Sequence, residues 1–251
     1  MSSRGQLDRG DGVKLAWSKL EGRSPTVVFL PGYGSDMTGD KATALAAFCE
    51  QCGQGMLRFD YSGHGASGGK FEDGTIGVWS TDALCAIDRL TEGPLVLVGA
   101  SMGGWIALLA ALARRERVVG LIGIAAAPDF TETLMWTRLS AEQRGALMEQ
   151  GIIHQPSRYG DPTPITRALI EDGRNHRVLT GSVSLDCPVR LLHGQADADV
   201  PWEIALRIAN GLTSGDVQVI LVKHGDHRLS RPQDLALLRR TLLPLLGEDG
   251  V

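Results

Sequence analysis

A chain of 251 residues with 43% hydrophobic and 22% charged residues has the composition of a globular protein with a sizeable core. A formal net charge of -4 with 25 dispersed basic residues speaks against a nucleic-acid partner, and no apolar stretch is long enough to span a bilayer. The polar N-terminus lacks the apolar run of a secretory signal, and Cys49, Cys52, Cys85 and Cys187 lack disulfide-framework spacing, so a soluble, cytoplasmic protein is expected.

In chain order, residues 13–17 alternate apolar and polar side chains, which predicts a half-buried edge strand. Short runs rich in Val, Ile and Leu at 26–30, 56–59, 95–98, 118–126, 189–192 and 217–222 are bounded by Gly, Pro or Asp. They predict strands buried on both faces of a mostly parallel sheet. Helical periodicity fills the gaps at 41–52, 77–90, 105–115, 201–210 and 235–246, the last preceded by a capping-box pair, Ser230 and Gln233. Strand and helix alternate, which predicts βαβ units in a single α/β domain over residues 1–251.

The rhythm breaks once. Residues 129–182 show helical patterns at 141–150 and 165–171 and turn prolines at 156, 162 and 164, but no strand; a lid inserted into the domain is expected. Cys49 and Cys52 form a Cys-x-x-Cys pair with no second pair to complete a zinc site. They are expected to be buried or incidental thiols, and no metal or organic cofactor is expected.

Gly-x-Ser-x-Gly, the pattern of a serine on a sharp strand-to-helix turn, occurs twice. Ser101, in Gly99-Ala100-Ser101-Met102-Gly103, directly follows the strand at 95–98 and precedes a helix. Ser67, in Gly65-Ala66-Ser67-Gly68-Gly69, sits in a glycine-rich loop, so Ser101 is the candidate nucleophile. The overlapping Gly63-His64-Gly65-Ala66-Ser67-Gly68 matches a dinucleotide fingerprint, but neither the helix nor the acidic residue that motif needs is present, which weighs against a nicotinamide oxidoreductase.

A serine hydroxyl needs a base. Among six histidines, His227 lies in Lys223-His224-Gly225-Asp226-His227, beyond the last predicted strand, where a loop returns over the carboxyl edge of the sheet; His224 is the alternative. The acid is expected in the loop after the strand at 189–192, where Asp197 is favoured because Asp199, beside Val200-Pro201, is placed to cap the next helix. The backbone N–H groups of Met102 and Tyr33, in Pro31-Gly32-Tyr33-Gly34, are the candidate oxyanion donors.

With these residues named, the chain resembles the α/β-hydrolase family of the mitochondrial acyl-glucuronide esterase that is also a palmitoyl-protein thioesterase. The resemblance rests on Phe29-Leu30-Pro31-Gly32-Tyr33, Arg58-Phe59-Asp60-Tyr61-Ser62-Gly63, Ser101-Met102-Gly103-Gly104-Trp105, Pro156-Ser157-Arg158-Tyr159, Cys187-Pro188-Val189-Arg190-Leu191-Leu192-His193-Gly194, Val200-Pro201-Trp202 and Lys223-His224-Gly225-Asp226-His227-Arg228. It implies an α/β-hydrolase fold with nucleophile, acid and base on Ser101, Asp197 and His227, acting on esters or thioesters of a small-molecule or acylated substrate. The chain shows no mitochondrial targeting pattern, so the family's location is not carried over. Leu134, Met135, Trp136 and Tyr159 are candidates to line an acyl pocket or to form lid core. The competing expectation is a non-catalytic small-molecule-binding protein on the same fold.

Overall fold

Strands buried on two faces must alternate their side chains between two cores, and β5 (Leu95–Ala100) does so. Leu95 and Leu97 face a core built with Trp79 and Trp105, whereas Val96 and Val98 face one built with Leu45 and Leu238. The structure is a computed structural model that describes residues 2–156 and 162–247. Before β5 come β1 (Ser2–Asp8), β2 (Lys14–Leu20), β3 (Arg23–Leu30), α1 (Asp40–Cys52), β4 (Gln54–Phe59) and α2 (Ile76–Leu90). After it come α3 (Met102–Ala113), β6 (Val118–Ile124), α4 (Ala141–Gln150), β7 (Ile152–Gln155), β8 (Thr163–Thr166) and α5 (Arg167–Asn175). The series closes with β9 (Val189–Gly194), α6 (Glu203–Gly211), β10 (Val217–Val222) and α7 (Pro232–Leu242).

An 8-stranded sheet has the order β1-β2-β4-β3-β5-β6-β9-β10. Its β1/β2 and β2/β4 pairs are antiparallel, and the rest are parallel. Side chains of α2, α3 and α6 fill the first core and those of α1 and α7 the second. The fold is therefore the mostly parallel, helix-flanked sheet that the pattern of buried runs implied, arranged as the α/β-hydrolase fold that the resemblance implied.

Three local expectations are corrected. Residues 2–8, too polar to suggest a strand, form β1 and pair with β2 from Ser2↔Leu20 to Asp8↔Lys14, so β2 is not the edge. An outer strand is held by ladder hydrogen bonds and needs little apolar patterning. Second, β7 and β8 form an antiparallel hairpin where no strand was expected. Each has four residues, too few for a visible alternation, and Pro164, tolerated on an edge strand, looks like a turn signal. Third, α7 is capped one residue later than Ser230: the Asp234 carboxylate accepts from the Arg231 backbone N–H (3.1 Å) and guanidinium.

Between β6 and β9 the chain leaves the sheet and returns, and one buried side chain ties the two ends. Asp129, at φ 59°, accepts from the N–H groups of Val178 (2.8 Å) and Leu179 (3.0 Å). The Ser140–Gln143 capping box starts α4, and the Thr166 hydroxyl caps α5 through the Leu169 N–H. Among the described residues no helix is long and apolar enough to cross a membrane.

Candidate active site

Only Ser101 separates β5 from α3, and it is held at φ 53° and ψ -119°. Such a conformation costs a non-glycine residue about 1–3 kcal/mol and persists only where its surroundings enforce it. Here the Ser101 N–H donates to the Ile124 carbonyl (2.9 Å), and the Ser101 carbonyl accepts from the N–H groups of Gly104 (2.9 Å) and Ala127 (3.0 Å). Gly103 is required by close approach: a Cβ there would stand 2.0 Å from the Leu30 carbonyl oxygen.

The loops after β9 and β10 carry Asp197 and His227, and they touch through backbone. The Ala196 N–H donates to the Gly225 carbonyl (2.9 Å), and a Cβ on Gly194 would collide with that oxygen at 2.2 Å. This junction brings three distant side chains together. His227 Nδ1 lies 2.8 Å from Asp197 Oδ2, and His227 Nε2 lies 3.1 Å from Ser101 Oγ. A carboxylate only accepts, so Nδ1 carries the proton and Nε2 accepts from the serine hydroxyl.

Asp197 has a fully buried side chain. Burial alone would raise its pKa, but hydrogen bonds from His193 and His227 and from the Val200 N–H hold it well below the usual carboxylate range. The carboxylate that meets His227 Nδ1 is that of Asp197, and Asp199 does not cap the next helix, since α6 starts after Trp202 with no side-chain cap. The turn runs the other way: Asp197 Oδ1 accepts from the N–H groups of Asp199 (2.8 Å) and Val200 (2.9 Å). His224 is exposed, and its carbonyl accepts from the Arg231 guanidinium.

Met102 opens α3, where a helix leaves its first N–H groups without an intrahelical acceptor. Tyr33 borders the same cavities as Ser101, on the loop after β3. That loop is pinned from below: the Gly34 N–H donates to His64 Nε2 (3.2 Å), and Met37 N–H donates to Asp60 Oδ1 (2.7 Å). The Tyr33 hydroxyl donates to the Pro164 carbonyl in β8 (2.7 Å), and its ring packs edge-on against Phe71, Trp79 and Phe130. Burial raises its phenol pKa above the ordinary range.

Two cavities meet at Ser101 and His227. One of about 660 Å³ lies beneath the segment between β6 and β9, with Phe71, Phe130, Leu134, Met135 and Ile165 in its walls. The other, of about 350 Å³, is bordered by Asp36, Lys41, Arg228 and Ser230. The Lys41 ammonium donates to the Arg228 carbonyl, fastening α1 to the loop that bears His227, and burial lowers its pKa to about 8. Trp136 is not in the larger wall. It packs against Leu139, Leu147 and Ile170 and stacks with Arg144 and Arg174. Ser157, Arg158 and Tyr159 lie outside the described residues.

The discounted motifs are accounted for locally. Ser67 donates to the Asp60 carbonyl (2.7 Å) and accepts from the Ala16 N–H (2.8 Å), and no helix opens on Gly68, since α2 begins at Ile76. Cys49 is buried in the core under α1, and burial with Cys52 nearby pushes its thiol up to about 12. Among the described residues, Asp197, Asp199 and His227 bring metal-capable atoms within 4.8 Å of one another. Both Asp197 oxygens already accept N–H groups, so a metal there would have to displace the imidazole.

Sequence reasoning passed over His64 and Lys41, and a structural role at the end of its strand is what it expects of His193. His64 and Lys41 act through loop contacts across the fold, for which no periodicity gives a signal.

Residues 23–169 match the family described as serine aminopeptidase, S33. The chain is 42% identical over 244 residues to the human "Palmitoyl-protein thioesterase ABHD10, mitochondrial", covering 96% of this chain and 79% of that one. The solved structure of mouse α/β-hydrolase domain-containing protein 10 superposes with a TM-score of 0.90 at 40% identity, over 98% of both chains. A putative hydrolase from Agrobacterium vitis S4 gives 0.92 at 41%, again over 98% of both. The chain belongs to the α/β-hydrolase family of serine aminopeptidase-like enzymes that contains the ABHD10 thioesterases.

Proposed function

We propose that this hydrolase cleaves carboxylic esters and thioesters through an acyl-enzyme on Ser101. The observation that carries this reading is the continuous hydrogen-bond chain from Ser101 Oγ through His227 to buried Asp197, set on a strained elbow at the mouth of two cavities. Ser101 Oγ attacks the acyl carbonyl while His227 Nε2 takes its proton, and Asp197 stabilises the imidazolium. The N–H groups of Met102 and Tyr33 receive the oxyanion; one such donor is typically worth about 3 kcal/mol in the transition state. His227 then returns the proton to the departing alcohol or thiol. A water, activated by the same imidazole, releases the acid.

The apolar side chains in the wall of the larger cavity, Phe130, Leu134, Met135 and Ile165, favour an acylated substrate whose chain lies against them; residues 129–182 we read as a lid on a single domain. The relatives named as palmitoyl-protein thioesterases support the same substrate class. Four free cysteines suit a reducing compartment, which the cytoplasm supplies. The test is turnover of p-nitrophenyl esters and acyl thioesters, together with fluorophosphonate labelling. Ser101→Ala is expected to lose roughly a million-fold in kcat and all labelling. Saturable ligand binding by the wild type with neither turnover nor label would establish the binding-only reading instead.

A further inference from the structure

We infer that His193 is a positioning residue for the reaction: a second imidazole that donates to the same oxygen of Asp197 as His227 and locks the acid in line with the base. The inference rests on the triad proposed above.

His193 lies on β9 and is 1% exposed. Its Nε2 stands 3.1 Å from the Val200 carbonyl oxygen and 3.2 Å from Asp197 Oδ2. Both neighbours only accept, so Nε2 must carry the proton, and the ring is the Nε2–H tautomer. Its other nitrogen, Nδ1, is buried with no hydrogen-bond partner among the described residues. A cationic ring would bury that second N–H unsatisfied, so the geometry favours a neutral donor.

The consequence falls on Asp197. Oδ1 accepts from the N–H groups of Asp199 and Val200, and Oδ2 from His227, while the single His193 Nε2 proton is shared between Oδ2 (3.2 Å) and the Val200 carbonyl (3.1 Å). An ionised carboxylate has about four acceptor sites, so the buried acid is saturated and has no reason to rotate or take up a proton. Without His193, Oδ2 keeps one donor. The carboxylate then becomes a stronger acceptor, binding the His227 proton more tightly, and loses one of the contacts that fix its plane. The ring reaches no substrate, since His193 is absent from the walls of both cavities. The effect should therefore fall on kcat rather than KM.

Among the described residues, charged groups near the acid include Asp199 of its own loop and Arg138 of the lid. Asp199 lies within 4.8 Å of the Asp197–His227 pair, and Arg138 donates to the Asp199 carbonyl (2.9 Å). Neither donates to Asp197 by its side chain, so a change made at His193 reports on the one proton that its ring shares between Asp197 and the Val200 carbonyl.

The experiment compares His193→Phe, which keeps the ring's bulk and removes the donor, with His193→Gln, whose amide nitrogen can replace Nε2. Phe is expected to lower kcat roughly tenfold with KM unchanged and to move the acidic limb of kcat/KM to higher pH, while Gln restores both. A wild-type kcat and acidic limb in the Phe variant would overturn the inference. Should that variant not fold, long-range 1H–15N correlation spectra of the wild type decide: a His193 signal of the Nδ1–H form would equally overturn it, and the Nε2–H form supports it. Ser101→Ala, run in parallel, separates the outcomes. If it abolishes turnover while His193→Phe changes nothing, the triad stands and only the role of His193 falls; if it retains turnover, the triad reading itself fails.

Discussion

His64 is 4% exposed and clasped by Tyr61, Phe71 and Trp79, yet both its ring nitrogens are engaged. Nδ1 lies 3.2 Å from the Ser62 carbonyl, which accepts its proton, and Nε2 accepts from the Gly34 N–H. A proton on Nε2 would end the second bond and release the loop next to Tyr33. Burial lowers this imidazole below its ordinary 6.5. The unfolded chain therefore takes up the proton at a pH where the folded chain still resists it, and stability falls as pH drops below about 6.5. In His64→Gln, the difference in Tm between pH 7.5 and pH 5 should shrink relative to the wild type. An unchanged difference would assign the pH dependence to other groups.

At the scale of elements, the β7–β8 hairpin is joined to the loop after β3 by the hydroxyl of Tyr33 on the Pro164 carbonyl. Tyr33→Phe retains the edge-on ring contacts and removes that bond. A loss of about 1 kcal/mol in unfolding free energy is expected, read from the urea midpoint. Because Pro164 and Ile165 border the larger cavity, the same variant should raise KM for long-chain esters more than for acetate esters. An equal change for both would detach the hairpin from acyl recognition. The strands themselves were legible where burial on both faces left uninterrupted Val, Ile and Leu. The hairpin was not, because four-residue strands are stabilised by the wall they complete rather than by their own pattern.

For the molecule as a whole, the N-terminal segment is a working part of the sheet. Arg9, just past β1, donates to Asp82 Oδ1 on α2 (2.8 Å), and the other Asp82 oxygen accepts from the Ser62 N–H and hydroxyl. The Asp82 side chain is wholly buried, so Arg9→Met leaves its charge without a cation. That change is expected to cost about 3 kcal/mol of stability, measurable by chemical denaturation. A loss under about 0.5 kcal/mol would mean that the hydroxyl and N–H suffice by themselves. That Ser101, His227 and Asp197 would meet was legible because an elbow is a local pattern and because loops beyond late strands must emerge at one edge of a parallel sheet. The alternation of elements, the two-faced strands and the strained serine were thus determined by sequence alone, since each depends on neighbours within a few residues. Only the tertiary structure decided that His193 shares an oxygen with His227, that His64 holds the loop beside Tyr33, and that Arg9 neutralises Asp82. Those contacts form between side chains that folding alone makes neighbours, and their strength comes from the exclusion of water around them.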